Sequence, residues 1–589
     1  MNNNAISSKS ISLKSKMNLD IKKCMLTVLV MSLVIFLLAP IIYLFVQAFL
    51  DKDGVFVGLQ NFQEYLASES LLNSLKNTVF VSVISTVISL TLALVYAYAL
   101  TRTKIKFKGF FKSLAMFPMF APTMMHAIGL VYLFGNQGLV TNLLGVHVPI
   151  YGAVGIILAQ IIYVFPQSFQ ILYISLSSTD YRLYEASNTM GISKIREFIS
   201  ITIPSIKYSL ISSAFVSFTL CFTDFGAPKV IGGEFNVLSI DVYKQIIGQQ
   251  NMPMGATVSI LLLIPAIISF IVTKKIEKNQ NSYITSKSIP YKVKTNKLRD
   301  SILGGVVGII AFGIIAVMLT VILSSLISVW PYDLRLTLEH FSMKNSIDGI
   351  KPFINSIKMS LLTAILGTSF VFLFAYLNEK TEKAPYLKSF GYFLSTLPMA
   401  LPGLVLGIAY VLFFNKLEFN FMDTIYIKNL FNGLYGTLLI MVICNIVHFF
   451  SVAFITATTA IKKVDKELDM VAKSMGINSA SILKNVTIPL CLPAVLENFM
   501  YFFLNSMVTI SALVFIYTAS SKVAAISIVQ LDDKGSTAQA AALAVLILVT
   551  NILVKVIYEF IKNRLEKRTN FNLSLIHISE PTRLLSISY

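Results

Sequence analysis

Tyr184-Glu185-Ala186-Ser187-Asn188-Thr189-Met190-Gly191-Ile192-Ser193, with Ile201-Thr202-Ile203-Pro204 behind it, has a second copy far along the same chain. That copy reads Asp469-Met470-Val471-Ala472-Lys473-Ser474-Met475-Gly476-Ile477-Asn478, then Val486-Thr487-Ile488-Pro489, with the glycine and the proline in the same register. Each predicts a short helix, a glycine turn, a second short helix and a proline opening a longer one. Other landmarks repeat in the same order. Asn77 begins a run that reaches Ala97-Tyr98, and Asn355 begins one that reaches Ala375-Tyr376. Phe117-Pro118-Met119 with Pro122 matches Leu397-Pro398-Met399 with Pro402 at nearly the same offset. The chain is an internal duplication.

What is duplicated is a membrane domain. Of 589 residues, 55% are hydrophobic and 13% are charged, against roughly 25% charged in soluble domains. Many apolar runs exceed the roughly 20 residues that span a bilayer, and lipid offers the backbone no hydrogen-bond partner, so these runs are expected to be helices. Spans are predicted at about 25–49, 77–100, 113–135, 149–173, 208–227 and 255–273, then 302–328, 356–377, 389–414, 431–457, 490–518 and 538–560. They divide the chain into a segment 1–24, a first half 25–273, a linker 274–301 and a second half 302–565. The closing stretch 574–589 neither continues the pattern nor reads as a helix. It resembles translated sequencing-adapter read-through and is set aside.

The net charge of +19 comes from 48 basic and 29 acidic residues. They sit in short runs between spans, which points to orientation and away from nucleic acid. The N-terminal segment, the 101–112 loop, the 274–299 linker, the 378–388 loop and the 561–568 tail are basic and share one side if there are twelve spans. That side is expected to be the cytoplasm, with both termini on it. Six spans per half give a parallel repeat, so the two quoted loops share the cytoplasmic face. Cys24, Cys221, Cys444 and Cys491 have no disulfide or metal spacing. Neither a metal site nor a catalytic set is expected.

At the quoted loops the sequence resembles the permease subunits of binding-protein-dependent ABC importers, whose signature is Glu-Ala-Ala-x-x-x-Gly followed by Ile-x-Leu-Pro. Ser187 takes the place of the second alanine and Met470 that of the glutamate. The resemblance implies an all-α polytopic membrane protein with a type I importer (MetI-like) transmembrane domain. It would have two tandem six-helix repeats and about twelve transmembrane helices, in the plasma (inner) membrane of a bacterium. It also implies that each loop docks in a groove of a cytoplasmic ABC ATPase, two copies in all. An extracytoplasmic solute-binding protein would deliver the cargo. Glu185, Ala186, Ser187, Gly191, Pro204, Ala472, Gly476 and Pro489 are the expected coupling residues. Small Ala186, Ser187 and Ala472 would permit close approach, and the glycines a positive-φ turn. No GxxxxGK[ST] loop occurs, so the chain is expected to bind no cofactor and to leave ATP to the partner ATPase.

Polar residues inside spans usually face the bundle interior or a water-filled path. Gln160 stands as far before Gly191 as Asn445 does before Gly476. Tyr163 and His448 share that correspondence. These four, with Asp224 near the outer end of the fifth span, are the expected translocation-pathway residues. Interhelical hydrogen bonds that only hold the bundle are the alternative. The stretch from Asp224 to Gly255 is similar to the fused permeases of the ferric-iron and 2-aminoethylphosphonate branch. Within that branch it points to 2-aminoethylphosphonate, with ferric iron as the alternative. An ion-coupled secondary transporter would also suit twelve spans, but it leaves the paired loops without a role.

Overall fold

The computed structural model describes residues 21–578, apart from 146, 281–288, 290, 294, 344–347, 382–383, 422–424 and 476. In the first half, α1 (Ile21–Gln47) and α2 (Glu69–Arg102) are long apolar helices. A short α3 (Lys108–Met116) leads to α4 (Thr123–Phe134), and α5 (Ala153–Ser177) follows. Then come α6 (Tyr181–Thr189) and α7 (Lys194–Phe222), with a π-turn at Phe198–Thr202 inside α7. Two short helices, α8 (Gly226–Ile231) and α9 (Leu238–Tyr243), precede α10 (Met252–Gln280).

The second half repeats this plan with α11 (Lys297–Leu326), α12 (Lys351–Lys380), α13 (Pro385–Thr396) and α14 (Gly403–Phe414). α15 (Leu438–His448), α16 (Phe450–Lys463) and α17 (Lys466–Ser474) come next. They are followed by α18 (Ser479–Leu490), α19 (Leu492–Val508), α20 (Ala524–Asp533) and α21 (Thr537–Ile578). Only two small hairpins, Ile327–Val329 with Asp333–Leu336 and Glu418–Phe421 with Ile425–Lys428, interrupt the helices among the described residues.

Nine helices among the described residues are long and apolar enough to cross a membrane, and three bent pairs raise the number to twelve. The expected spans at 113–135 and 389–414 are not continuous helices. Proline disfavours the α conformation at the residue before it. Accordingly Ala121 (φ −112°, ψ 147°) and Leu401 (φ −107°, ψ 112°) are extended in front of Pro122 and Pro402. The second of these breaks turns the chain by 112°. A carbonyl left over at the first, that of Phe120, accepts Asn551 Nδ2 at 2.8 Å. The expected spans 431–457 and 490–518 are also broken, by 56° after His448 and by 77° at Cys491. At the latter, Pro493 cannot donate to the Pro489 carbonyl and its ring clashes there. Tyr208 occupies the matching place in the first half, where α7 passes as a span without such a break. The fifth span stops at Phe222, short of the expected 227. Helix α21 runs to Ile578, so the supposed tail begins as helix, while 579–589 lie outside the described residues.

The halves are clasped by exchange. α14 of the second half packs on α1 and α10 of the first, and α4 of the first packs on α11 and α21 of the second. Tyr410 Oη donates to the Phe36 carbonyl at 2.6 Å, where α1 carries a π-turn (Val34–Leu38). A Cβ on Gly129 would stand 2.7 Å from Val317, so α4 and α11 touch nearly backbone to backbone, as small residues allow in membrane bundles.

Within each half the same clasp closes the loop after the fifth span. Asn77 Nδ2 donates to the Asn236 carbonyl at 3.0 Å, and Thr78 Oγ1 accepts the Leu238 N–H at 2.8 Å. Asn355 Nδ2 donates to the carbonyls of Ser520 and Lys522 at 3.1 and 2.9 Å, and Ser356 Oγ accepts the Ala524 N–H at 2.8 Å. Each hydroxyl serves an orphan N–H at the start of a short helix, the task of an N-cap performed from a distant span.

Candidate functional site

The first quoted loop folds as expected. Asp180 caps α6 by accepting the Arg182 N–H, Gly191 turns at φ +65°, and Ser193 caps the next turn by accepting the Arg196 N–H. Pro204 then stands in the first turn of the helix Ile203–Phe222, beyond the π-turn. The second loop repeats the order. Asn478 caps Ser479–Ile482, a π-turn occupies Leu483–Thr487, and Pro489 follows. Gly476 lies outside the described residues. The two π-turns keep the same offset as the prolines, so the repeat extends to the pattern of helical hydrogen bonds.

On α6, Tyr181, Tyr184 and Ser187 are buried, which leaves Leu183, Glu185, Ala186 and Met190 facing out. Met190 and Met475 are 75% and 71% exposed, and Ile195 and Val471 are also open. Exposed apolar side chains on an otherwise polar face are candidates for an interaction surface. Ser187 and Ala472 do not belong to it. Ser187 is 2% exposed with its hydroxyl 3.2 Å from Glu197 Oε2, and Ala472 is 8% exposed. Their carbonyls accept the N–H of Ile192 and Ile477 at 3.1 and 3.0 Å. A small side chain at this position seats the helix on its own loop. Close approach from outside is left to Ala186.

Gln160 is held among three helices of the first half. Ser85 Oγ donates to its Oε1 at 3.0 Å, and its Nε2 donates to the Cys221 carbonyl at 3.0 Å. Asp224, 8% exposed, accepts the Gly226 N–H at 3.1 Å through one oxygen, while its Oδ2 has no hydrogen-bond partner. Gln160, Tyr163 and Thr123 all lie beside this carboxylate. The structure therefore brings Gln160, Tyr163 and Asp224 into one polar cluster. In the second half Asn445 is fully buried, its Nδ2 3.6 Å from Met359 Sδ and its Oδ1 unpartnered. The ring of His448, one turn on, lies 4.5 Å from that of Phe449 at a tilt of 58°, and its Nδ1 is unpartnered.

A cavity of about 620 Å³ opens on the face away from the coupling loops, between the halves. Tyr132, Gln137, Trp330, His340, Asp532 and Gln539 are among its lining, and none of the pathway residues read from the sequence is. Tyr132 Oη lies 2.9 Å from Thr537 Oγ1, and Trp330 Nε1 donates to the Gln137 carbonyl at 3.0 Å, so the cavity wall joins the halves. Sequence reasoning missed this wall, Ser85 and the Asn77–Thr78 clasp. The last two had a signal, since Asn77 and Asn355 open matching spans and Ser85 and Thr363 sit at matching depth. The wall combines helix residues such as Tyr132, Asp532 and Gln539 with loop residues such as Gln137 and Trp330, none of them among the repeated landmarks.

The sequence matches the family described as binding-protein-dependent transport system inner membrane component over residues 89–282 and 372–567, once in each half. A Haemophilus influenzae protein named as a ferric transport system permease, FbpB 1, is 27% identical over 502 residues, 83% of this chain and 77% of that one. The ferric transport system permease protein FbpB of Actinobacillus pleuropneumoniae is 26% identical over 540 residues, 89% and 76% of the two chains. The thiamine transport system permease protein ThiP of Haemophilus influenzae is 24% identical over 363 residues, 60% of this chain and 65% of its own.

Proposed function

This chain belongs to the family of binding-protein-dependent transport system inner membrane components, and from that premise we propose that it supplies both transmembrane halves of an ATP-driven importer on one polypeptide. It is a permease of a binding-protein-dependent ABC importer, and the family implies an ATPase and a solute-binding protein as partners. Two ATPase copies dock, one on each quoted loop, and spend the ATP; the chain itself uses none. We delimit the halves as 25–273 and 302–565, with both termini and the 274–301 linker in the cytoplasm. Glu185, Ala186, Gly191 and Pro204 serve one docking surface, and Gly476 and Pro489 the other, with Ser187 and Ala472 seating the two helices. Closure of the ATPases draws the loops together and rocks the halves as rigid bodies around the path.

What carries this reading is the matched pair of loops: helix, turn, cap, π-turn and proline in the same order, each with exposed methionine at the turn. Gln160, Tyr163, Asp224, Asn445 and His448 line the path. For the cargo, the names of the relatives favour ferric iron. The stretch from Asp224 to Gly255 favours 2-aminoethylphosphonate, whose ammonium group would find an acceptor in the free Asp224 oxygen.

Reconstitution in proteoliposomes with the ATPase and receptor tests both levels. Uptake should require ATP, and persistence without ATP under an intact ion gradient would overturn the importer reading. Labelled ferric iron and labelled 2-aminoethylphosphonate, offered separately, decide the cargo. If it is the phosphonate, Asp224→Asn should lower uptake by about 10- to 150-fold, since a hydrogen bond to a charged group is worth about 1.5–3 kcal/mol.

A further inference from the structure

We propose that Tyr291, in the connector between the halves, is a positioning residue that holds the first coupling helix in its docking attitude. This rests on the docking role given to the loops above. Arg102, the last residue of α2, is 2% exposed. Its Nη2 donates to the Leu176 carbonyl at 3.0 Å, to Thr179 Oγ1, and to Tyr184 Oη at 3.3 Å. Nε and Nη1 have no hydrogen-bond partner, and no ion pair to Arg102 is found among the described residues. A guanidinium taken out of water without a carboxylate is costly. Its compensation is aromatic: the Tyr291 ring centroid lies 3.9 Å from the guanidinium carbon, and that of Tyr184 lies 5.1 Å away.

Tyr291 reaches the coupling helix through the same ring. It meets Tyr184 edge to face at 4.9 Å and Tyr181 at 5.4 Å, and these are two of the three buried residues of α6. The backbone adds a second tie. Tyr181 N–H donates to the Ile289 carbonyl at 2.9 Å, and Ile289 N–H reaches the Asp180 carboxylate, which caps α6, at 3.4 Å. Tyr184 Oη then donates to Thr202 Oγ1 at 3.2 Å, in the π-turn of α7. Connector, coupling helix and fifth span thus form one block with the Arg102–Tyr291 stack at its centre.

Among the described residues the second loop shows no such block. In the repeat Lys380 is the counterpart of Arg102, and Asp469 is that of Tyr184, so both the planar cation and the ring beneath it are missing. A lysine is a compact point charge that cannot replace a stacked guanidinium. Among the described residues the stack on Tyr291 therefore serves the first coupling helix.

Removing a desolvated cation–π contact worth about 1.4 kcal/mol should lower the population of the docked attitude, and hence docking at that loop, by about tenfold. The test uses the full chain with its ATPase in nanodiscs. A benzoylphenylalanine photocrosslinker is placed at position 190 or 475, and the adduct with the ATPase is measured. Tyr291→Ala should cut the adduct at 190 about tenfold and leave that at 475 within about twofold, whereas Tyr291→Phe, which keeps the ring, should behave as the wild type. An unchanged adduct at 190, an equal fall at both positions, or phenylalanine failing as alanine does would each overturn the role of Tyr291. No adduct at either position in the otherwise unaltered chain would instead refute docking on the loops, and this inference with it.

Discussion

In the first half Ser85, Gln160 and the Cys221 carbonyl join three helices in a continuous chain of hydrogen bonds. Their counterparts in the repeat are Thr363, Asn445 and Ser506, and there Thr363 Oγ1, Asn445 Oδ1 and Ser506 Oγ are all buried without partners. Asparagine is one methylene shorter than glutamine, and its amide nitrogen is turned to Met359. The clasps of Asn77–Thr78 and Asn355–Ser356, by contrast, repeat nearly bond for bond. The duplication has kept the bonds that close the fold and relaxed those in the interior. An unpaired buried polar group costs about 1–3 kcal/mol, so at this interior site the second half is the less firmly held, and its fifth span is also the one broken by proline.

The comparison breaks first, if it breaks, at the loops. Gly191→Val forces a β-branched residue into φ +65°, a strain of about 1–3 kcal/mol, and should reduce ATPase co-purification roughly 5- to 150-fold with membrane insertion intact. The same change at Gly476 should act alike. Undiminished co-purification, or labelling that puts the two glycines on opposite faces of the bilayer, would end the pairing.

A smaller effect separates the two interiors. Gln160→Leu leaves the Ser85 hydroxyl without its acceptor and takes one of the donors from the Cys221 carbonyl, which keeps the Asp224 N–H; it should cost about 1–2 kcal/mol in thermal unfolding of the purified complex, whereas Asn445→Leu, which gives up only a sulfur contact, should cost under about 0.5 kcal/mol. Equal losses would show that the two cores are equally firm. Transport abolished by Asn445→Leu at unchanged stability would place that residue in the path, and transport retained would remove it.

The smallest effect should be the most symmetric. Thr78→Val and Ser356→Ala each remove one cap from a short helix and should cost about 1 kcal/mol apiece. A clear inequality would mean that the clasps are alike in geometry but not in load.

The duplication, the helical class and the order of the loops were legible because proline and glycine write backbone geometry directly into sequence. The breaks at Pro122, Pro402 and Pro493 could have been read from the same residues, since each denies its predecessor or a carbonyl the helical arrangement. The bend after His448 carries no such residue and was invisible. Side-chain direction was the other blind spot. Ser187 and Ala472 look like surface contacts on a motif and turn out to face inward, because helical phase depends on which residues the parent loop buries, here Tyr181 and Tyr184. The partner of Gln160 lies on another span and that of Arg102 beyond the whole first half, separations at which one chain's letters give no local hint.

The exchange of packing, α1 against α14 and α4 against α11, has a consequence for how such a chain can be divided. A gene severed within codons 281–288 would yield two polypeptides that each lack a wall, because Phe36 awaits Tyr410 and Gly129 awaits Val317 from the other product. Made alone, each fragment would leave a lipid-facing groove where its neighbour belongs. Made together, they should find one another as an obligate heterodimer, with Tyr291 carried in on the second piece to its seat beside Arg102 on the first.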